Sequence, residues 1–230
     1  MRDTPSPSPV ERRGHEPALN APWILLALIG VLLATHAARL LTGVSVERFA
    51  LTAADLRAGR WFGLVTYLFV HGSWAHVGMN GVFILAFGTP VARFLGGGAR
   101  GAVLFIAFFL VCGAIAALAY AGWLDALGSF GVPGRGWALV GASGAGSGLM
   151  GGAARLIEGR GRLGSIGGKM VMGMSVAWIG ANVLLGLSGL TPGAAGLPVA
   201  WEAHIFGYFA GLALIGLFAR VAARPATLAR

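Results

Sequence analysis

The chain has 230 residues, of which 57% are hydrophobic and only 11% are charged, and its mean hydropathy is +0.78. Globular proteins carry roughly 25% charged residues, so this composition excludes an ordinary soluble domain. The single cysteine, Cys112, also excludes an intramolecular disulfide framework and a cysteine-rich metal site.

Six stretches without a charged residue are predicted to cross a membrane, since a spanning helix needs about 20 mostly apolar residues. They cover 17–38, 61–92, 101–124, 136–154, 170–201 and 203–219. The second and fifth are too long for one crossing, so we place their helices at 76–92 and 170–187. The prediction is an all-α polytopic membrane protein. Its six-helix bundle covers 21–220, with a disordered cytoplasmic tail at 1–20 and a second cytoplasmic tail at 221–230.

The basic residues predict the orientation, because short cytoplasmic loops accumulate Lys and Arg. With the N-terminus inside, twelve of the seventeen Lys and Arg lie on the cytoplasmic side, and four of the others lie between the first two spans. Segment 40–75 is expected to be amphipathic and to lie on the outer interface, as is His36. The net charge of +9 is therefore a topology signal and does not predict a nucleic-acid partner. The expected location is a bacterial inner (plasma) membrane, with both termini in the cytoplasm.

Polar residues gather where the second, fourth and sixth spans begin, and in this topology these three ends share the outer face. His76 and Asn80 open the second span, Ser143 opens the fourth, and His204 lies at the start of the sixth. A serine becomes a nucleophile when a base within hydrogen-bond reach takes its proton, and His204 is the candidate base. No carboxylate is suitably placed to orient this histidine. The sequence therefore predicts a Ser143–His204 dyad whose imidazole is held by packing and by neutral groups.

His76 and Asn80 also form a candidate oxyanion site. Their four-residue spacing puts both side chains on one helix face, where they can donate to a developing negative charge. The backbone N–H of Ser143, at a helix N-terminus, adds a third donor. No metal and no cofactor are predicted. A metal site of His71, His76 and His204 is disfavoured because the first two are five residues apart and no carboxylate or cysteine joins them.

Glycines are expected to let the fourth and sixth spans approach closely enough for Ser143 to meet His204. The helix-packing candidates are Gly144, Gly148 and Gly152 in the fourth span and Gly207 and Gly211 in the sixth. The pattern GxGxxG at 146–151 could also indicate a dinucleotide site, but no strand precedes it, which favours glycine packing. A helix over 143–156 would be about 21 Å long, shorter than the roughly 30 Å hydrocarbon core. We therefore expect it to begin below the outer surface, in a water-filled recess.

These motifs resemble those of the rhomboid intramembrane serine proteases, over about 23–219. The resemblance is carried by Gly141-Ala142-Ser143-Gly144 (GxSG), by His71, His76 and Asn80 in HGSWAHVGMN, by AHIFG at 203–207 with Gly211, and by the pair Arg60-Trp61. It implies cleavage of single-span membrane proteins in or near their transmembrane segments, with the lipid bilayer and transmembrane protein substrates as partners. It also implies Ser143 as nucleophile, His204 as base, His76 and Asn80 as oxyanion donors, and no cofactor.

The chain departs from the family pattern one helical turn after the serine. Family members often carry an aromatic residue there that packs on the catalytic histidine, whereas this chain has Ser147. Orientation of His204 must then come from elsewhere, with Phe206 and Tyr208 as candidates. One alternative function is therefore a weak or inactive rhomboid-like protein that binds membrane clients. A small transporter is another, but no charged residue lies in the middle of a span.

Overall fold

The computed structural model describes residues 21–129, 137–188 and 199–223. The helices are α1 (Trp23–Thr42), α2 (Ala53–Arg57), α3 (Gly63–Thr66), α4 (Trp74–Leu95), α5 (Ala99–Ser129), α6 (Ser143–Glu158), α7 (Lys169–Ser188) and α8 (Trp201–Ala223). Two 3-10 turns, Val46–Arg48 and Tyr67–Phe69, and two short strands, β1 (Leu51–Thr52) and β2 (Ala138–Leu139), lie between them. The predicted tail 1–20, residues 130–136 with Arg135, residues 189–198 and residues 224–230 lie outside the described residues.

Five of these helices, α1, α4, α5, α7 and α8, are long and apolar enough to cross a membrane. In α1 the residues Leu25, Leu28 and Leu32 form a buried stripe, while Leu26 and Leu41 on other faces are exposed. A helix in water would carry polar residues on its exposed face, so this all-round apolar surface fits a lipid environment. The prediction of an all-α polytopic membrane protein is confirmed.

Helix α6, which corresponds to the predicted fourth span, lies at the centre of the bundle. It has 16 residues, 12 of them buried, and it packs against α4, α5, α7 and α8. Its length is about 24 Å at 1.5 Å per residue, which is less than the roughly 30 Å of a hydrocarbon core. Its sequence is rich in glycine, alanine and serine, so the backbone of α8 and side chains of α4 and α5 can approach it closely.

In the described part of the sequence window 136–154, which begins at Trp137, the helix starts at Ser143. Before that point Ala138 and Leu139 form β2, which pairs antiparallel with β1 in the register Leu51 to Leu139. The pairing fastens the segment between α1 and α4 to the residues that lead into α6.

The segment between α1 and α4 is held by its own polar contacts. Thr52 and Asp55 form a reciprocal cap at the start of α2, and Asp55 pairs with Arg60 at 2.8 Å. The hydrogen bond from Thr52, assisted by Arg60, lowers the pKa of Asp55 below its usual value. Trp61 and Phe62 follow directly and are more than half exposed, which leaves them free to contact the surroundings.

Candidate active site

The nucleophile candidate lies where β2 turns into α6. Gly141 has a φ of +101°, a conformation that disfavours any side chain, and its N–H donates to the carbonyl oxygen of Tyr67 at 2.9 Å. The next N–H, that of Ala142, donates to Nε2 of His71 at 3.4 Å. Ser143 is then the first residue of α6. The turn that presents its hydroxyl is therefore held by two backbone N–H groups.

His71 accepts the bond from Ala142 because it is neutral. The side chain is fully buried, and this burial lowers the pKa of His71 to about 3, with His76 and His36 acting in the same direction. The neutral ring keeps a lone pair on Nε2 for the backbone donor. The ring of His71 also meets that of His76 edge-to-face, with centroids 5.0 Å apart.

The structure brings Ser143 and His204 together. Oγ of Ser143 lies 2.8 Å from Nε2 of His204, near the N-terminal ends of α6 and α8. The other ring nitrogen of His204, Nδ1, lies 2.8 Å from Oδ1 of Asn182 on α7. The hydroxyl of Ser143, the imidazole of His204 and the amide of Asn182 thus form a hydrogen-bonded chain that joins α6, α8 and α7.

Direct backbone contact between α6 and α8 sets the short distance between these residues. A Cβ at Gly207 would overlap the carbonyl oxygen of Gly144, and one at Gly211 would overlap that of Gly148. A larger residue at either position would force the two backbones apart. Four of the five predicted packing glycines therefore lie at this contact.

Gly152 lies elsewhere, since a Cβ there would meet Cζ of Phe108 on α5 at 3.1 Å. Gly151 takes its place, because a side chain there would overlap the carbonyl oxygen of Tyr208 on α8. An α-helix has 3.6 residues per turn, so two turns are about seven residues. Gly151, seven residues after Gly144, therefore faces α8 more directly than Gly152, eight residues after it.

His76 and Asn80 approach the turn before the nucleophile. A Cβ at Gly141 would lie 2.6 Å from Nε2 of His76 and 3.5 Å from Nδ2 of Asn80, so both nitrogens converge on the same space. Nδ2 of Asn80 is buried and has no hydrogen-bond partner among the described residues. Ser73 caps the start of α4 by accepting from the N–H of His76 at 3.1 Å. In the second turn of α4, Asn80 thus presents a buried donor for an incoming oxygen, with no hydrogen bond to the residues that the structure describes.

A cavity of about 370 Å³ opens onto the dyad, onto His76 and Asn80, and onto Gly141. The polar part of its lining includes the side chains of Ser143, His204, His76, Asn80 and Asn182. Apolar side chains from several helices form much of the rest, among them Met79, Phe83, Leu185 and Trp201. The cavity can therefore accept an apolar chain segment and place one of its carbonyl groups beside the serine.

Two neighbours of His204 were not predicted from the sequence, namely Asn182 and Trp178. The indole of Trp178 lies 6.3 Å from the imidazole, with the planes tilted by 35°. Tyr208, one of the two candidates for this position, instead bonds Ser175 through its hydroxyl at 2.9 Å. Both missed residues belong to α7, and an amide within a span free of charge is the signal that could have found Asn182.

His36, which is expected at the depth of the outer interface, is enclosed by other side chains. It is 1% exposed and packs edge-to-face against Trp74, with centroids 4.6 Å apart. It therefore belongs to the packing between α1 and α4.

A comparison with protein families relates this arrangement to known sequences. The family model described as a Rhomboid domain matches residues 58–221, a region that contains every site residue named above. No curated protein matches the chain.

Proposed function

The chain belongs to the rhomboid family, and from this premise we propose that it is an intramembrane serine endopeptidase. It would hydrolyse peptide bonds in or near the transmembrane segments of membrane protein substrates. The observation that carries the proposal is the 2.8 Å contact between Oγ of Ser143 and Nε2 of His204. A nucleophile and base at this distance are within reach for proton transfer.

In the proposed reaction, Oγ of Ser143 attacks the carbonyl carbon of the scissile bond while Nε2 of His204 takes the hydroxyl proton. His204 then gives that proton to the leaving amine nitrogen, and an ester to Ser143 remains. Water attacks the ester by the same route in reverse, which releases the carboxylate product and restores the serine. His204 thus acts alternately as base and acid.

The oxyanion formed in each half of the reaction needs donors fixed before it appears. Support for this role in His76 and Asn80 comes from their convergence beside Gly141 and from the buried Nδ2 of Asn80, which has no partner within the described part of the chain. The N–H of Ser143, at the start of α6, would be the third donor. Loss of one such donor typically lowers kcat by about 100- to 1000-fold.

Cleavage of a single-span test substrate by the purified protein in liposomes tests the proposal. We expect the wild type to cut it and Ser143→Ala to be inactive. Ser165→Ala is the matched control, because this exposed serine lies in the loop between α6 and α7, away from the cavity. Equal cutting by wild type and Ser143→Ala would refute the assignment.

The second candidate is a rhomboid-like protein that binds membrane clients without cleaving them. It is favoured by Ser147, which stands where family members often carry an aromatic residue. A serine-directed phosphonate distinguishes the two, since it reacts only with an activated hydroxyl. Labelling of the wild type, with none in Ser143→Ala or His204→Ala, would exclude client binding as the sole function.

We propose in addition that both termini lie in the cytoplasm, in a bacterial inner membrane. The start of α5 lies beside the end of α8, since Arg100 donates to the carbonyl oxygen of Val221 at 2.6 Å. Arg155, near the end of α6, donates to the carbonyl of Leu212 on α8. The end of the bundle that carries Arg100 and Arg155 would face the cytoplasm. A cysteine placed at Ser165 should then react with an impermeant maleimide in inverted vesicles and not in intact cells.

A further inference from the structure

Asn182 joins the imidazole of His204 to a third helix. The side chain is 4% exposed, and its Oδ1 lies 2.8 Å from Nδ1 of His204. Its Nδ2 donates to the carbonyl oxygen of Trp178, one turn earlier in α7, at 2.9 Å. Because a carbonyl can only accept, the NH₂ group must face Trp178. The amide oxygen therefore faces the histidine.

This orientation of the amide determines which nitrogen of His204 carries the proton. An amide oxygen accepts a hydrogen bond and cannot donate one, so a neutral imidazole beside it holds its proton on Nδ1. Nε2 then directs a lone pair at the hydroxyl of Ser143. The opposite tautomer would present an N–H to that hydroxyl and could not take its proton.

On the premise of the proposed protease function, we propose that Asn182 is a positioning residue that selects the tautomer of His204 and holds its ring in place. A carboxylate has this role in many serine hydrolases, and an asparagine has it in papain-like cysteine proteases. Inside a membrane a neutral amide avoids the cost of an ionised side chain. Asn182 thereby supplies the orientation that Ser147 cannot.

A second polar contact between α7 and α8 provides a matched control. Oγ of Ser175 lies 2.9 Å from the hydroxyl oxygen of Tyr208, and Ser175 is 9% exposed. Ser175→Ala removes a polar link between the same two helices without touching His204. A role of Asn182 that is limited to holding α7 in place would therefore be shared by Ser175.

The first test measures the rate of phosphonate labelling in the full-length protein. We expect Asn182→Leu, which keeps the branched shape of the side chain but removes the acceptor, to lower the rate by at least about tenfold. Asn182→Asp should restore most of the rate because its carboxylate accepts the same bond, and Ser175→Ala should keep the wild-type rate. A wild-type rate in Asn182→Leu, or an equal loss in Ser175→Ala, would overturn the inference.

The second test does not depend on activity. Nitrogen NMR of ¹⁵N-histidine-labelled protein, with His204 assigned from the spectrum of His204→Gln, reports its tautomer. We expect the proton on Nδ1 in the wild type and a mixture of tautomers in Asn182→Leu. A proton on Nε2 in the wild type would overturn the inference. The wild type could also carry the proton on Nδ1 and yet fail to react with the phosphonate. That result would support the positioning role of Asn182 but overturn the proposed protease function.

Discussion

Gly207→Ala tests whether backbone contact between α6 and α8 sets the distance within the dyad. A Cβ at Gly207 would lie 2.9 Å from the carbonyl carbon of Gly144 and closer still to its oxygen. Packed carbon atoms sit about 3.5–4.0 Å apart, so α8 would have to withdraw from α6 by at least about 0.6 Å. The obstacle is backbone and cannot rotate away as a side chain could.

The same movement acts on the bond between Ser143 and His204. Their contact of 2.8 Å would lengthen to at least about 3.4 Å, beyond the usual range of such hydrogen bonds. Because a misplacement of about 1 Å costs roughly 100-fold in rate, we expect phosphonate labelling to fall by about 10- to 100-fold. The free energy of unfolding should fall by only about 1–3 kcal/mol, the usual cost of overpacking.

Gly216→Ala is the matched control on the same helix. A Cβ there meets Nη1 of Arg155 at 3.4 Å and Cδ2 of Leu163 at 3.5 Å, which are ordinary contacts with the ends of flexible side chains. We expect labelling and thermal stability to stay at wild-type levels. If Gly207→Ala is folded and labels as fast as Gly216→Ala, the glycine contact does not control the dyad and our reasoning fails.

Three further predictions concern the surroundings of the site. Gly141→Ala should lower labelling at least about tenfold, because the positive φ and the nearby His76 leave no place for a Cβ; undiminished labelling would contradict this. Tyr67→Phe removes a buried bond to the carbonyl of Gly113 at 2.8 Å and should lower the free energy of unfolding by about 1–2 kcal/mol, as measured by thermal melting in mild detergent; an unchanged melting temperature would refute it. The pKa of His71 falls from 6.5 to about 3 on folding, so the unfolded chain binds more protons between these values and stability drops as the pH falls through this range. His71→Gln should reduce that pH dependence by up to about 1.4 kcal/mol per pH unit, and equal slopes for wild type and variant would exclude this cause.

The spans were predictable because the bilayer imposes a simple requirement on composition. A charged residue in a lipid-facing helix is costly, so stretches free of charge mark the crossings. The predicted ends of the spans were less accurate, because a helix can continue past the apolar stretch until a residue with helix-ending geometry stops it. In α1 that residue is Gly43, whose φ of +65° ends the helix at Thr42, four residues later than the predicted span.

Strand β2 could not be predicted because two residues are too few to show a period. Ala138 and Leu139 are as apolar as the helix that follows them, and their partner strand, Leu51–Thr52, lies far away in the sequence. Only the three-dimensional pairing distinguishes them from the first turn of a helix.

The proximity of Ser143 and His204 could be predicted from the direction of their helices. Both residues lie at the start of a helix, and both helices start at the same membrane face. The pairing of α7 with α8 was harder to predict. Ser175 and Asn182 are seven residues apart on α7, and His204 and Tyr208 are four apart on α8, so each pair lies along one helix face. In lipid each of these side chains needs a partner within the protein. The pattern thus indicates polar contacts between the two helices, but not which residues pair.

The position of each serine within α6 explains why one of them is available to the histidine. Ser147 lies one turn into the helix, and its hydroxyl donates to the carbonyl oxygen of Ser143 at 2.7 Å, as helical serines commonly do. Ser143 is the first residue of α6, so no helical carbonyl lies four residues before it. Its hydroxyl must bond to another element, and the glycine contact brings the imidazole of His204 within reach. A helix added in front of Ser143 would remove this availability, which gives a structural reason for the turn at Gly141.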